Sequence, residues 1–122
     1  MVSYLLVGVG AFIGGVLRYG VSVASASLVT PDGFPWHTFA VNAVGCLAAG
    51  LAVGALSGKS DASQWHLFLV TGVLGGLTTF SAFGLETVSL IRGGNVTMAG
   101  GYVLATLAAG FIGVAVGLKL AA

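Results

Sequence analysis

Four stretches of this chain are apolar for long enough to cross a lipid bilayer, and that fact limits its fold more than any other. They cover residues 2–17, 38–56, 67–91 and 96–118, against a need of about 20 residues for a spanning helix. Backbone groups in hydrocarbon must find their hydrogen bonds within the segment, so each run is read as a helix. The expected architecture is an all-α membrane protein, a single transmembrane domain over residues 1–122 with helices near 2–26, 36–57, 64–91 and 96–120. Of the 122 residues, 57% are hydrophobic and 6% charged, where a soluble domain has about a quarter charged. Lipid is the solvent this composition suits.

The connections are short. Thr30-Pro31-Asp32-Gly33-Phe34-Pro35 is a turn with two prolines, and Gly58-Lys59-Ser60-Asp61 and Arg92-Gly93-Gly94-Asn95 form the other two. Trp36, Trp65 and Tyr4 fall near span ends, where amphipathic rings favour the headgroup layer. His37 and His66 sit there too and are expected to be interfacial. No basic residue precedes the first apolar run, so that run is expected to stay in the mature protein as a span and not to be a cleaved signal. With the N-terminus inside, Lys59 and Lys119 fall inside and Arg92 outside, an orientation bias close to nothing. Such a chain can insert both ways, and two copies can then pair antiparallel. A net charge of +1 offers no basic stripe, which excludes a nucleic-acid partner. Cys46, alone in an apolar run, reads as packing. Gly10/Gly14, Gly50/Gly54/Gly58 and Gly113/Gly117 recur at four-residue spacing and form bare helix faces for close approach. Some of these faces are expected to serve an interface between subunits.

Polar side chains within the spans are costly and therefore the first candidates for function. Arg18 lies inside the membrane zone, either snorkelling, paired, or feeding an anion entrance. Asn42 brings amide donors to the second span, as an interhelical bond or as part of an anion path. Glu86 is placed to bond backbone or hydroxyl groups. In the third span, Gly72-Val73-Leu74-Gly75-Gly76-Leu77-Thr78-Thr79-Phe80-Ser81-Ala82-Phe83 sets glycines and hydroxyls mid-membrane, which predicts a helix break near 75–79. Carbonyls freed by such a break form a cation site. Phe80 and Phe83, three apart, share a helix face, and the positive edges of their rings suit a small anion held loosely. With the hydroxyls of Ser81 and Thr106 and the Asn42 amide they outline a narrow donor-lined track. Tyr102, Thr106 and Gly110 form a matching stripe on the fourth helix.

Three segments then carry a resemblance: Gly14-Gly15-Val16-Leu17-Arg18-Tyr19, Thr38-Phe39-Ala40-Val41-Asn42-Ala43-Val44-Gly45, and Gly75-Gly76-Leu77-Thr78-Thr79-Phe80-Ser81-Ala82-Phe83-Gly84-Leu85-Glu86. Over nearly the whole chain the sequence resembles the Fluc (CrcB) fluoride-channel family. The resemblance implies an antiparallel dual-topology dimer in the plasma membrane, built from two copies or from a paired homologous subunit. It also implies two fluoride pores and a central structural sodium ion. By the same resemblance Gly75 and Thr78 would give backbone carbonyls to sodium, and Phe80 and Phe83 would make the aromatic contacts to fluoride. Asn42 would donate to the ion, Arg18 would sit near a vestibule, and Ser81, Thr106 and Tyr102 would line the polar track. Thr79 and Glu86 would brace the broken helix. Ala82 stands where threonine is common, and Gly110 where a hydroxyl is frequent.

Two other classes share some of these features. A small multidrug transporter is also a four-helix dual-topology dimer, but its resemblance predicts a glutamate in the first helix, and this first span has no carboxylate. A noncatalytic subunit of a heterodimeric channel would need the glycine faces but neither the break nor the phenylalanine pair. An enzyme is not expected, because no nucleophile and base occur at a workable spacing.

Overall fold

A computed structural model describes residues 1–122. Four helical segments are long and apolar enough to cross a membrane, and there are no strands. The first is α1 (Val2–Ala24), followed by a short 3-10 turn (Ala26–Leu28), and the second is α2 (Trp36–Leu56). The third span, Ala62–Arg92, is assembled from pieces. It begins as α3 (Ala62–Trp65), widens into a π-helical stretch (His66–Leu74), tightens into α4 (Gly75–Leu77), and resumes after two extended residues as α5 (Phe80–Arg92). The fourth span is α6 (Val96–Ala121).

Glycine decides how these helices pair. In lipid no hydrophobic force drives helix against helix, so association depends on close backbone approach. A Cβ at Gly10 would lie 2.9 Å from the Gly72 Cα, and one at Gly14 would fall on the Val73 carbonyl oxygen and 2.7 Å from the Leu77 nitrogen. α1 is therefore pressed against the first half of the third span. On the other side of the bundle a Cβ at Gly50 would lie 2.9 Å from the Leu118 nitrogen, and one at Gly117 2.7 Å from the Leu51 nitrogen. This seam joins α2 to α6. Gly54 and Gly113 lie along the same seam. The repeated glycines named from sequence are thus consumed within the subunit, and none of those pairs is left for an interface between copies. Gly58 belongs to a different class: with φ +79° it closes the turn after α2, as Gly94, φ +88°, closes the turn before α6.

One end of the bundle is fastened by side chains. The Gly33 N–H donates to the Thr30 carbonyl at 3.1 Å, and the Asn95 amide donates to the Asp32 carbonyl at 3.2 Å, which ties the first loop to the third. The Phe34 ring lies 5.2 Å from that of Tyr102 and 5.5 Å from that of Phe39, both near edge-on. Beneath it Phe83, Leu90, Ala99 and Tyr102 form the core cluster. Only 14 of 122 residues are buried, so most of the helical surface is available to lipid or to another protein.

Candidate functional site

The break in the third span is made by two threonines and held by an asparagine. Thr78 (φ −82°, ψ 156°) and Thr79 (φ −150°, ψ 114°) are extended, so the chain leaves the helix for two residues. The Thr79 N–H, which in a continuous helix would bond the Gly75 carbonyl, donates instead to Asn42 Oδ1 at 2.8 Å. Asn42 Nδ2 returns a bond to the Thr79 carbonyl at 3.2 Å. The Thr79 hydroxyl then caps α5 by accepting the Ala82 N–H at 3.1 Å. Thr79 therefore starts the helix that resumes after the break. The Thr78 hydroxyl bonds back to the Leu74 carbonyl at 2.9 Å.

Beside the break runs a groove of about 320 Å³. Asn42, Cys46, Thr78, Thr79, Phe80 and Phe83 line one wall, and Thr106, Leu107, Gly110, Phe111 and Val114 of α6 line the other. The two phenylalanine rings stand 5.8 Å apart and tilted by 58°. Their settings differ: Phe83 is buried at 8% exposure, whereas Phe80 is 83% exposed on the open side of the groove. The Thr106 hydroxyl is buried and has no hydrogen-bond partner in the chain. One N–H of Asn42 is committed to Thr79 and one remains. Gly75 and Thr78 share a neighbouring recess of about 160 Å³ with Gly45, Cys46, Ala49, Val70 and Leu74.

Glu86 lies two turns past the break and gathers side chains from two other helices, α2 and α6. Its Oε2 accepts the Thr38 hydroxyl at 2.8 Å and lies 3.2 Å from His37 Nε2, and its Oε1 accepts the Tyr102 hydroxyl at 3.1 Å. The group it braces is the joint of α2, α5 and α6. Tyr102 is fully buried, with its ring edge-on to Phe83 at 5.1 Å. It reaches the groove only through Phe83, while Thr106 and Gly110, from the same stripe, line the groove directly.

Arg18 and Ser81 lie away from the groove. Arg18 donates through Nε to the Gly76 carbonyl at 3.1 Å and lines a separate cavity of about 150 Å³ with Tyr19, Ser22, His37, Thr38 and Thr79. Ser81 is exposed, with its hydroxyl 3.2 Å from that of Thr79. Three residues at the site were not expected there. Cys46 lines the groove, Thr38 holds Glu86, and His37 turns inward from the start of α2 onto the same carboxylate. Thr38 had a signal, since it stands four residues before Asn42 and so shares its helix face. Cys46, four residues after Asn42, had the same signal, whereas for His37 the sequence offers none, because its partner Glu86 comes from α5.

Residues 5–118 match the family model described as CrcB-like protein, Camphor Resistance (CrcB). A protein of Agrobacterium fabrum named fluoride-specific ion channel FluC is 47% identical over 98% of this chain and 99% of its own length. Proteins of the same name from Methylobacterium nodulans and Beijerinckia indica are 45% and 47% identical, covering 98% and 95% of this chain and 96% and 93% of their own lengths. With a broken third span at its centre and a family match along almost its whole length, this multi-pass membrane chain belongs to the CrcB family.

Proposed function

We propose that the chain is the subunit of a passive fluoride-selective channel that lets fluoride leave the cell down its electrochemical gradient and so relieves its toxicity. Its working form is an antiparallel dual-topology dimer in the bacterial plasma membrane, with two pores. The name shared by the relatives supports the choice of ion. The observation that carries the reading is the groove, which Asn42, Thr106 with its orphan hydroxyl, and the side chains of Phe80 and Phe83 line beside a helix break.

Fluoride is small and strongly hydrated, so a dry path must replace its water with donors at every step without holding it fast. Here the free Asn42 N–H and the Thr106 hydroxyl are the strong donors, and the ring edges are the weak ones between them. Chloride, which is larger, is refused by width. Phe80 stands mostly exposed in one subunit, and a second copy laid across the groove would close the open side. Gly75 and Thr78 suit a sodium ion. The Gly75 carbonyl loses its helical donor when the Thr79 N–H turns to Asn42, and Thr78 is extended next to it. A sodium ion held there would supply fixed positive charge to offset the cost of stripping water from the anion. No catalytic step belongs to this reading.

The test is passive efflux from liposomes reconstituted with the purified chain alone, with valinomycin and potassium relieving the voltage and chloride-loaded vesicles as control. Rapid fluoride release without chloride release is expected, and Phe80→Ile and Phe83→Ile should each stop it while dimers persist. Intact flux in both variants would remove the aromatic edges from the mechanism. No release from well-folded protein would leave the self-sufficient channel without support and turn attention to a paired subunit.

A further inference from the structure

His37 begins inside the first turn of α2, a place where a membrane histidine ordinarily faces the headgroups. Instead its Nε2 lies 3.2 Å from Glu86 Oε2, and its Nδ1 is buried without a partner. Its other side borders the cavity that holds Arg18, Tyr19 and Ser22. The imidazole therefore separates a basic chamber from a carboxylate, and that carboxylate stands one helical turn beyond Phe83, which lines the groove. The titratable and charged groups around it are Arg18 and Tyr19 from α1, Glu86 from α5, and Tyr102, which bonds the same carboxylate from α6. Among these side-chain types imidazole is the one whose ordinary charge change falls between pH 5 and 8.

We propose that His37 sets the charge met by the anion at Glu86, so that protonation of this imidazole raises fluoride passage. The proposal rests on the channel reading above. With neutral His37, Nε2 lies beside Glu86 without adding charge, and the cluster keeps the full negative charge of the carboxylate. Fluoride leaving the phenylalanine pair meets like charge. A proton on His37 converts the same contact into an ion pair, cancels that charge, and leaves Arg18 as the net field at this end of the bundle. The Thr38 and Tyr102 hydroxyls keep the carboxylate in place in both states, so the change is one of charge with little movement.

The experiment measures fluoride efflux from proteoliposomes at matched internal and external pH, between about pH 8 and about pH 6, with protein-free vesicles subtracted for leakage of the neutral acid. Wild-type flux should rise by about tenfold on acidification, a modest share of what an unscreened neighbouring charge would produce. His37→Gln, which stays neutral, should hold the alkaline rate at every pH. His37→Lys, which stays charged, should hold the acid rate. A flat wild-type profile, or a His37→Gln variant that keeps the wild-type slope, overturns the role of His37 and leaves the channel standing. Absence of fluoride release at every pH overturns both.

Discussion

Replacing Thr106 by valine should make the protein more stable and the channel slower, two effects that a packing residue would not combine. The swap exchanges a hydroxyl for a methyl on a side chain branched at Cβ in both cases, so shape and helix propensity barely change. The Thr106 hydroxyl is buried and has no partner in the chain. A buried polar group left unsatisfied costs about 1–3 kcal/mol, and valine removes that cost. Taking the low end, a gain of about 1 kcal/mol corresponds to about 4 °C in the unfolding midpoint of a domain this size. The flux effect has the opposite sign, because a hydrogen bond to a charged partner contributes about 1.5–3 kcal/mol. Losing it as the ion passes slows transport by about 10- to 100-fold. The assay pairs a thermal series read by size-exclusion with fluoride efflux from liposomes on the same preparation. A Thr106→Val protein that is less stable and conducts normally would show the hydroxyl to be structural, and the groove would then not be the path.

Two other substitutions probe the scaffold around the break. Asn42→Leu removes both bonds to Thr79, at 2.8 and 3.2 Å, and should cost about 2–4 kcal/mol as well as abolishing flux. A melting midpoint unchanged from wild type would show that the break holds without the asparagine. Gly14→Ala places a methyl on the Val73 carbonyl and 2.7 Å from the Leu77 nitrogen, both of them backbone atoms that cannot swing away. It should destabilise by about 1–3 kcal/mol and weaken the Arg18–Gly76 contact one turn further along. The same alanine at Gly15, which faces open space, is the control and should be silent in the thermal assay of the isolated subunit.

The spans were legible because membrane insertion depends on local composition: a run of apolar residues is sufficient, whatever its neighbours. The break was legible for a related reason, since Gly75-Gly76 followed by Thr78-Thr79 weakens the helix and supplies hydroxyls to satisfy what comes loose. The π-helical widening over His66–Leu74 was not, because nothing in that apolar run separates it from an ordinary α-helix. Four-residue glycine spacing announced close approach without naming the partner. It suggested an interface between copies, yet α1 uses its glycines on the third span and α2 uses its own on α6. The stripe of Tyr102, Thr106 and Gly110 was read as one surface, and the structure divides it. A bulky phenol fits only in the core beside Phe83, while the smaller Thr106 and Gly110 leave room for the groove. The gathering of His37, Thr38 and Tyr102 on Glu86 joins three helices and could not be read from any one of them.

The three segments that carry the resemblance are far apart in sequence, and their contacts explain why they belong together. From the first, Gly14 lies against Val73 and Leu77, and Arg18 donates to the Gly76 carbonyl. From the second, Asn42 takes both backbone groups of Thr79, Thr38 holds Glu86, and Gly45 leaves space for the Thr78 side chain, whose methyl would strike a Cβ there. All of these partners lie within or beside the third segment. The segments are therefore parts of one joint, in which the backbone groups at a helix break within the membrane are given replacement partners. Arg18 serves Gly76, Asn42 serves Thr79, and the Thr78 hydroxyl turns back on Leu74. Gly75 is left with a carbonyl whose helical donor has been taken away by Asn42. In a membrane such a group must be matched by something else, because water is not available to do so. The asparagine that stabilises the break is thus also the residue that frees the carbonyl assigned above to the proposed sodium ion, and on that reading a variant that loses Asn42 should lose its response to sodium along with its flux.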